Sequence, residues 1–207
     1  DIDLSNIYMT DATSATADSW YWDITNGGGG GCVGSDFHCK FPVGTILPAG
    51  DKLVIAINGS TEFNTAYATT PDFELFEDGD TADAVPEMVE VFPGSVGYGL
   101  GSNGTNAAGS EGYLATSAET VVLYSWNGVS ATVQDVDYFI WGTSTVPRAD
   151  KTGVAGYLPD TSVNSQESVA STAHTFGVSF ERLDADETGE ILSGGNGITG
   201  NNETSEP

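Results

Sequence analysis

Apolar residues in this chain recur with a period of two and nowhere sustain the 3.6-residue rhythm of an amphipathic helix. That property constrains the fold most, because a period of two places alternate side chains on opposite faces of a pleated strand. Residues 4–10 read as a strand ended by Asp11, and residues 20–24 as a second that runs into a glycine tract. A turn at 48–51 launches residues 52–57, with Leu53, Ile55 and Ile57 on one face, and Asn58-Gly59 closes it. Residues 60–67 carry an N-cap serine, Ser60, and a Phe63/Tyr67 pair, which predicts one or two helical turns. Residues 73–76 and 176–180 are further short strands. The strongest hairpin signal is Asn127-Gly128 between the strand-like runs 120–125 and 131–141.

Short strands with turn signals and long loops predict an all-β fold, an immunoglobulin-like β-sandwich with long loops and at most one or two short helical turns. One domain is expected over residues 1–192, with a surface insertion at about 77–112, followed by a polar, Gly-rich segment at 193–207. Leu53, Ile55, Ile57, Val121, Leu123, Val136, Tyr138 and Ile140 are expected to face one core. The longest apolar runs fall well short of the ~18 residues of a membrane span. The opening Asp1-Ile2-Asp3-Leu4 is not a signal peptide.

Charge narrows the partners. Five Lys and Arg stand against 30 Asp and Glu, a net charge of −25 over 207 residues. Spread over the roughly 9,000 Å² that surface scaling gives, this field repels phosphate backbones and anionic membranes. Nucleic acid and membrane insertion are therefore not expected. Cations, polycations and neutral polymers such as glycans remain.

Cys32 and Cys39 are the only cysteines, and they sit in the loop GGGGGCVGSDFHCK. They read as a disulfide closing a small loop, which points to an extracellular or cell-surface location. The rival is a metal site built from Cys32, Asp36, His38 and Cys39, which lacks a second Cys/His pair at zinc spacing. Sequons at Asn58, Asn103 and Asn202 permit glycosylation.

Several stretches, in order, resemble the lamin-tail domain family, in particular its secreted prokaryotic subgroup. They are DLSNIYMTDA (3–12), FPVGTILPAGDKLVIAIN (41–58), ETVVLYSWNGVSATVQDVDYFIWG (119–142), DKTGV (150–154) with SFERLD (179–184), and GNGITGNNETSEP (195–207). The resemblance implies an immunoglobulin-like sandwich acting as a non-enzymatic structural, adhesion or filament-associated module. Family members also resemble one another in a pair of strands upstream of Asp-Leu-Ser, and this chain begins after that point. The strand at 3–10 is then expected to be a sheet edge. Leu4, Ile7, Tyr8 and Met9 would meet there either residues upstream of Asp1 in the same polypeptide, the favoured alternative, or a strand from a protein partner or a second copy of the chain.

Catalytic signals are sparse. The histidines are His38 and His174, and neither Gly-x-Ser-x-Gly nor His-Glu-x-x-His occurs. A hydrolase could use a carboxylate pair, but Asp135 and Asp137 are expected on the outer face of a strand. No cofactor is required by the sequence; calcium is the candidate it offers. Asp184, Asp186 and Thr188 occupy positions 1, 3 and 5 of a calcium-type loop with Gly189 at 6, although Gly195 stands where the closing Glu belongs. Asp78, Asp80 and Asp83 form a second acidic loop; both loops also read as plain solvated turns. Trp20 and Trp22 share a strand face, so Tyr21 is the aromatic expected outside, where it could stack on a glycan.

Non-reducing mass analysis should find Cys32 and Cys39 joined, with Cα atoms about 4.4–6.8 Å apart in a structure. Two alkylatable thiols in the unreduced protein would overturn the pairing.

Overall fold

The computed structural model describes residues 1–14, 19–27, 36–77, 83–92, 95, 114–166, 168–169 and 179–180, and the structural statements below concern these residues. In chain order the elements begin with β1 (Ile2–Asp3), β2 (Ile7–Thr10), β3 (Thr13–Ser14), β4 (Ser19–Trp20) and a 3-10 helix (Tyr21–Asn26). Next come β5 (His38–Lys40), β6 (Ile46–Leu47), β7 (Ile55–Ala56), α1 (Ser60–Tyr67) and β8 (Phe73–Glu74). The last are β9 (Val89–Glu90), β10 (Ala118–Ser125) and β11 (Gln134–Gly142). Strands dominate and most pair antiparallel, so the fold is all-β.

The central sheet has the order β11-β10-β2-β5-β9. Its β10–β11 hairpin follows from Asn127-Gly128. The Asn127 side-chain oxygen accepts the N–H groups of Val129 (3.0 Å) and Ser130 (2.8 Å), and Gly128 takes a positive φ of 81°. The connection is longer than expected, because β11 starts at Gln134 rather than at 131.

β2 is not an edge. It pairs with β10 on one side and β5 on the other, with Met9 opposite both Leu123 and Cys39. Leu4, Tyr8 and Met9 are buried and Ile7 is half-buried, so the expected docking edge lies inside the fold. Alternation marks a strand but not its place in the sheet. The neighbour that covers this strand, His38-Cys39-Lys40, is too short and polar to announce itself.

Both faces of the central sheet are apolar. Ile7, Met9, Cys39, Val121 and Leu123 point to one side, where Leu4, Phe37, Phe41, Phe73, Leu75, Phe76 and Met88 complete a core. Tyr8, Val122, Tyr124, Tyr138 and Ile140 point to the other, beneath Tyr21, Trp22 and Ile24 of the 3-10 helix. The single inward-facing set expected from sequence therefore splits. Leu53, Ile55, Ile57, Val121 and Leu123 pack half-buried on the first core, whereas Tyr138 and Ile140 are fully buried in the second.

A bulge sets the rest. Leu123 pairs with Asp137 but Tyr124 pairs with Asp135, so Val136 is an extra, half-buried residue in β11. Beyond the bulge the faces exchange. Asp135, expected outside, is wholly buried on the Tyr138 side.

Three other elements differ from expectation. Only Ser19–Trp20 of the second predicted strand is extended; the chain then coils into the 3-10 helix, and Tyr21 is fully buried rather than exposed. Of residues 52–57 only Ile55–Ala56 is strand, paired parallel with β8. A parallel pair needs a crossover, and α1 supplies it. The predicted helical turns are α1, with Phe63 and Tyr67 rings 4.7 Å apart, but its N-cap is Gly59 at φ 89° rather than Ser60. Part of the presumed 77–112 insertion belongs to the core, since β9 pairs with β5 and Met88 is buried. Residues 176–178 and 193–207 lie outside the described residues.

Ile140→Ala should destabilise the fold by about 2–5 kcal/mol, as full burial of a large aliphatic implies. The half-buried Ile55→Ala should cost clearly less. Urea melts of the two variants check this order.

Candidate functional site

Among the cationic side chains of the described residues, Arg148 and Lys151 are buried. The chain beyond β11 turns back beneath the sheet, and that turn carries Lys151 under the 3-10 helix. Lys151 Nζ lies 2.7 Å from Asp135 Oδ2 and 2.9 Å from Asp160 Oδ2, with all three side chains wholly buried. It also donates to the hydroxyls of Tyr21 and Tyr138, each at 3.1 Å. Those hydroxyls bond to each other, and Tyr21 donates to Asp135 Oδ1 at 2.7 Å. The rings of Tyr21, Trp22, Tyr138 and Tyr157 surround the ammonium, with centroids 5.5–6.0 Å away.

Local backbone bonds position the group. Lys151 N–H donates to Asp160 Oδ2 (2.6 Å), and Asp160 N–H donates to Thr152 Oγ1 (3.1 Å), so the loop 151–160 is closed by its own ends. Tyr157 accepts the Val133 N–H at 3.0 Å, tying that loop to the start of β11. Burial pulls the Lys151 pKa down, but Tyr138, Asp135 and Asp160 outweigh it and hold the pKa well above the ordinary lysine value. Burial, then Asp135 and Tyr138, push the Tyr21 hydroxyl well up.

A second group gathers at the start of α1. Ligand atoms of Glu74, Glu77 and Asp83 lie within 4.8 Å of one another. Glu74 Oε2 accepts the Ser60 N–H (2.7 Å), while its buried Oε1 has no hydrogen-bond partner among the described residues. Asp83 accepts from Ser60 Oγ (2.7 Å) and from the Val85 N–H. Burial raises the Glu74 pKa to about 7. Elsewhere, burial raises Glu119 to about 7 and holds Asp11 well above the usual carboxylate range.

Of the residues singled out in the sequence, Asp83 joins this acidic group, but Asp78, Asp80, Asp184, Asp186 and Thr188 lie outside the described residues. Cys32 also lies outside them, and Cys39 is buried with its sulfur 3.5 Å from the Met9 carbonyl oxygen. Tyr21 serves Lys151, not a surface. His38 is sealed in the core with Nε2 2.6 Å from the Tyr124 hydroxyl. Sequence reasoning assigned no role to Lys151, Asp160, Glu74 or Glu77. The scarcity of cations was the available signal for Lys151. No family model, curated protein or solved structure matches the chain.

Because burial raises Glu74 and Glu119 above the ~4.3 of an unfolded Glu, the folded chain holds more protons between about pH 4.3 and 7. Their contribution is complete below the unfolded pKa and is lost as pH rises through about 7. The melting temperature in chelator should therefore rise from pH 8 to pH 5. Glu74→Gln with Glu119→Gln should flatten that slope; an unchanged slope would contradict the assignment.

Proposed function

We propose that the chain is a non-enzymatic, extracellular or cell-surface module of lamin-tail type, an immunoglobulin-like sandwich that acts as a structural or interaction element. The observation that carries this reading is where the reactive side chains are spent. His38, Asp135, Lys151 and Arg148 are all buried and bonded to the structure around them. Groups held this way tie layers together and do not meet a substrate. The net charge of −25 and the two cysteines support a location outside the reducing cytosol. No helix among the described residues is long and apolar enough to cross a membrane. A hydrolase panel, with glycosides included, tests the reading. Turnover lost on Asp→Asn substitution would overturn it.

Calcium binding is the second reading, favoured by the buried, unpartnered Glu74 Oε1 beside Glu77 and Asp83. A hard cation takes carboxylate oxygens, and a ligand that binds only the folded state stabilises it. At about ten times its Kd the ion is worth ~1.4 kcal/mol, a rise of about 3–5 °C for a domain of this size. Thermal melts in calcium against chelator, at matched ionic strength, measure it. Glu77→Gln and Asp83→Asn should abolish the rise if this group is the site.

A further inference from the structure

We propose that the folded chain joins Lys151 to Asp135 by an intramolecular amide bond, Nζ to Cγ, with loss of one water. The lysine centre contains the parts such a condensation requires. The nucleophile and the carboxyl group touch at 2.7 Å, with both side chains wholly buried. A nitrogen that close to one carboxylate oxygen stands about 3–3.5 Å from the carbon behind it, the separation of a near-attack arrangement. Asp135 Oδ2 has no partner among the described residues other than the Lys151 ammonium, which leaves it the oxygen that departs. Oδ1 is held by the Tyr21 hydroxyl at 2.7 Å, a donor placed where negative charge develops in a tetrahedral intermediate. Tyr138 in turn holds Tyr21 by their hydroxyl–hydroxyl bond. Asp160 Oδ2, 2.9 Å from Nζ and anchored by the Lys151 N–H, is the base.

The step balances without any outside reagent. One ammonium proton passes to Asp135, leaving a neutral amine and a carboxylic acid, with the net charge of the pair unchanged. The Nζ lone pair attacks Cγ, and Oδ1 carries the negative charge beneath Tyr21. Asp160 takes a proton from the nitrogen and returns one to the departing Oδ2–H. The Nζ–Cγ bond forms, the Cγ–Oδ2 bond breaks, and –NH₃⁺ plus –COO⁻ become –NH–CO– plus water. Four aromatic rings wall the centre and disfavour the return of that water. Held partners reach effective molarities of about 10⁵–10⁸ M, which is what drives an amide from an amine and an acid.

The proposal is independent of the module's partner and location. Its test is the intact mass of the full chain, made in a bacterial host, folded, then reduced and alkylated. The expected mass is lower than the sequence mass by one water, ~18 Da. A tryptic digest, which cuts after Arg148 between the two residues, should give one branched peptide pair joined through Lys151 and Asp135. Lys151→Arg keeps the charge but forms no such amide, and should show its full sequence mass. Asp160→Asn retains both joined groups and should slow or abolish the loss. A wild-type mass equal to the sequence mass overturns the proposal whether or not the variants fold.

Discussion

An ammonium group removed from water costs several kcal/mol unless its surroundings return as much, and the Lys151 centre is built around meeting that cost. Its partners come from distant parts of the chain: Tyr21 from the 3-10 helix, Asp135 and Tyr138 from β11, and Asp160 from the loop beyond. While Lys151 is an ammonium, none of these can move away without stranding a charge in an apolar core. One side chain thus locks the helix, the sheet and the return loop into a single arrangement. Arg148 does the same on a smaller scale, donating to the carbonyls of Val163, Gln166 and Gly142 where the chain leaves β11.

The bulge in β11 and the buried charge require each other. Without the extra Val136, Asp135 would fall on the face opposite Tyr138, away from Lys151. With it, a carboxylate and a phenol separated by two residues point the same way. A bulge costs ladder hydrogen bonds, and here it brings an anion to the one place where a buried cation needs it. Gly142, at the end of the same strand, serves close approach, since a Cβ there would lie 2.1 Å from the Ser117 carbonyl oxygen.

Period-2 patterning made the β-rich class legible, as did the Asn127-Gly128 hairpin and the short helix at 60–67. These depend on local properties of the chain. What stayed hidden depends on distance in sequence. The middle position of β2 is set by β5 and β10. The inward turn of Asp135 is set by a single extra residue, and period-2 reasoning fails wherever a bulge intervenes. Tyr21 misled because aromatics on a presumed strand alternate, whereas in a 3-10 turn Tyr21 and Trp22 are both buried and meet edge to face. Lys151 lay in the quoted stretch DKTGV, but a lone lysine has no periodicity to mark it.

An excess of 30 acidic over five basic residues leaves the fold few ways to bury a carboxylate. Asp135 and Asp160 meet Lys151. Other buried acids take backbone N–H groups instead: Asp11 from Phe37 at 2.6 Å, and Glu74 from Ser60 at 2.7 Å. Burial draws those carboxyls toward their neutral forms, and the partial charge of a backbone donor offsets only part of it, so the pKa values of Asp11 and Glu74 rise. Asp11 and Glu74 are least costly when protonated, because desolvation outweighs what their N–H donors return to the ionised form. A divalent cation at Glu74, Glu77 and Asp83 would move that group from the second class to the first. Calcium and low pH are therefore rival ways of relieving the same buried oxygen.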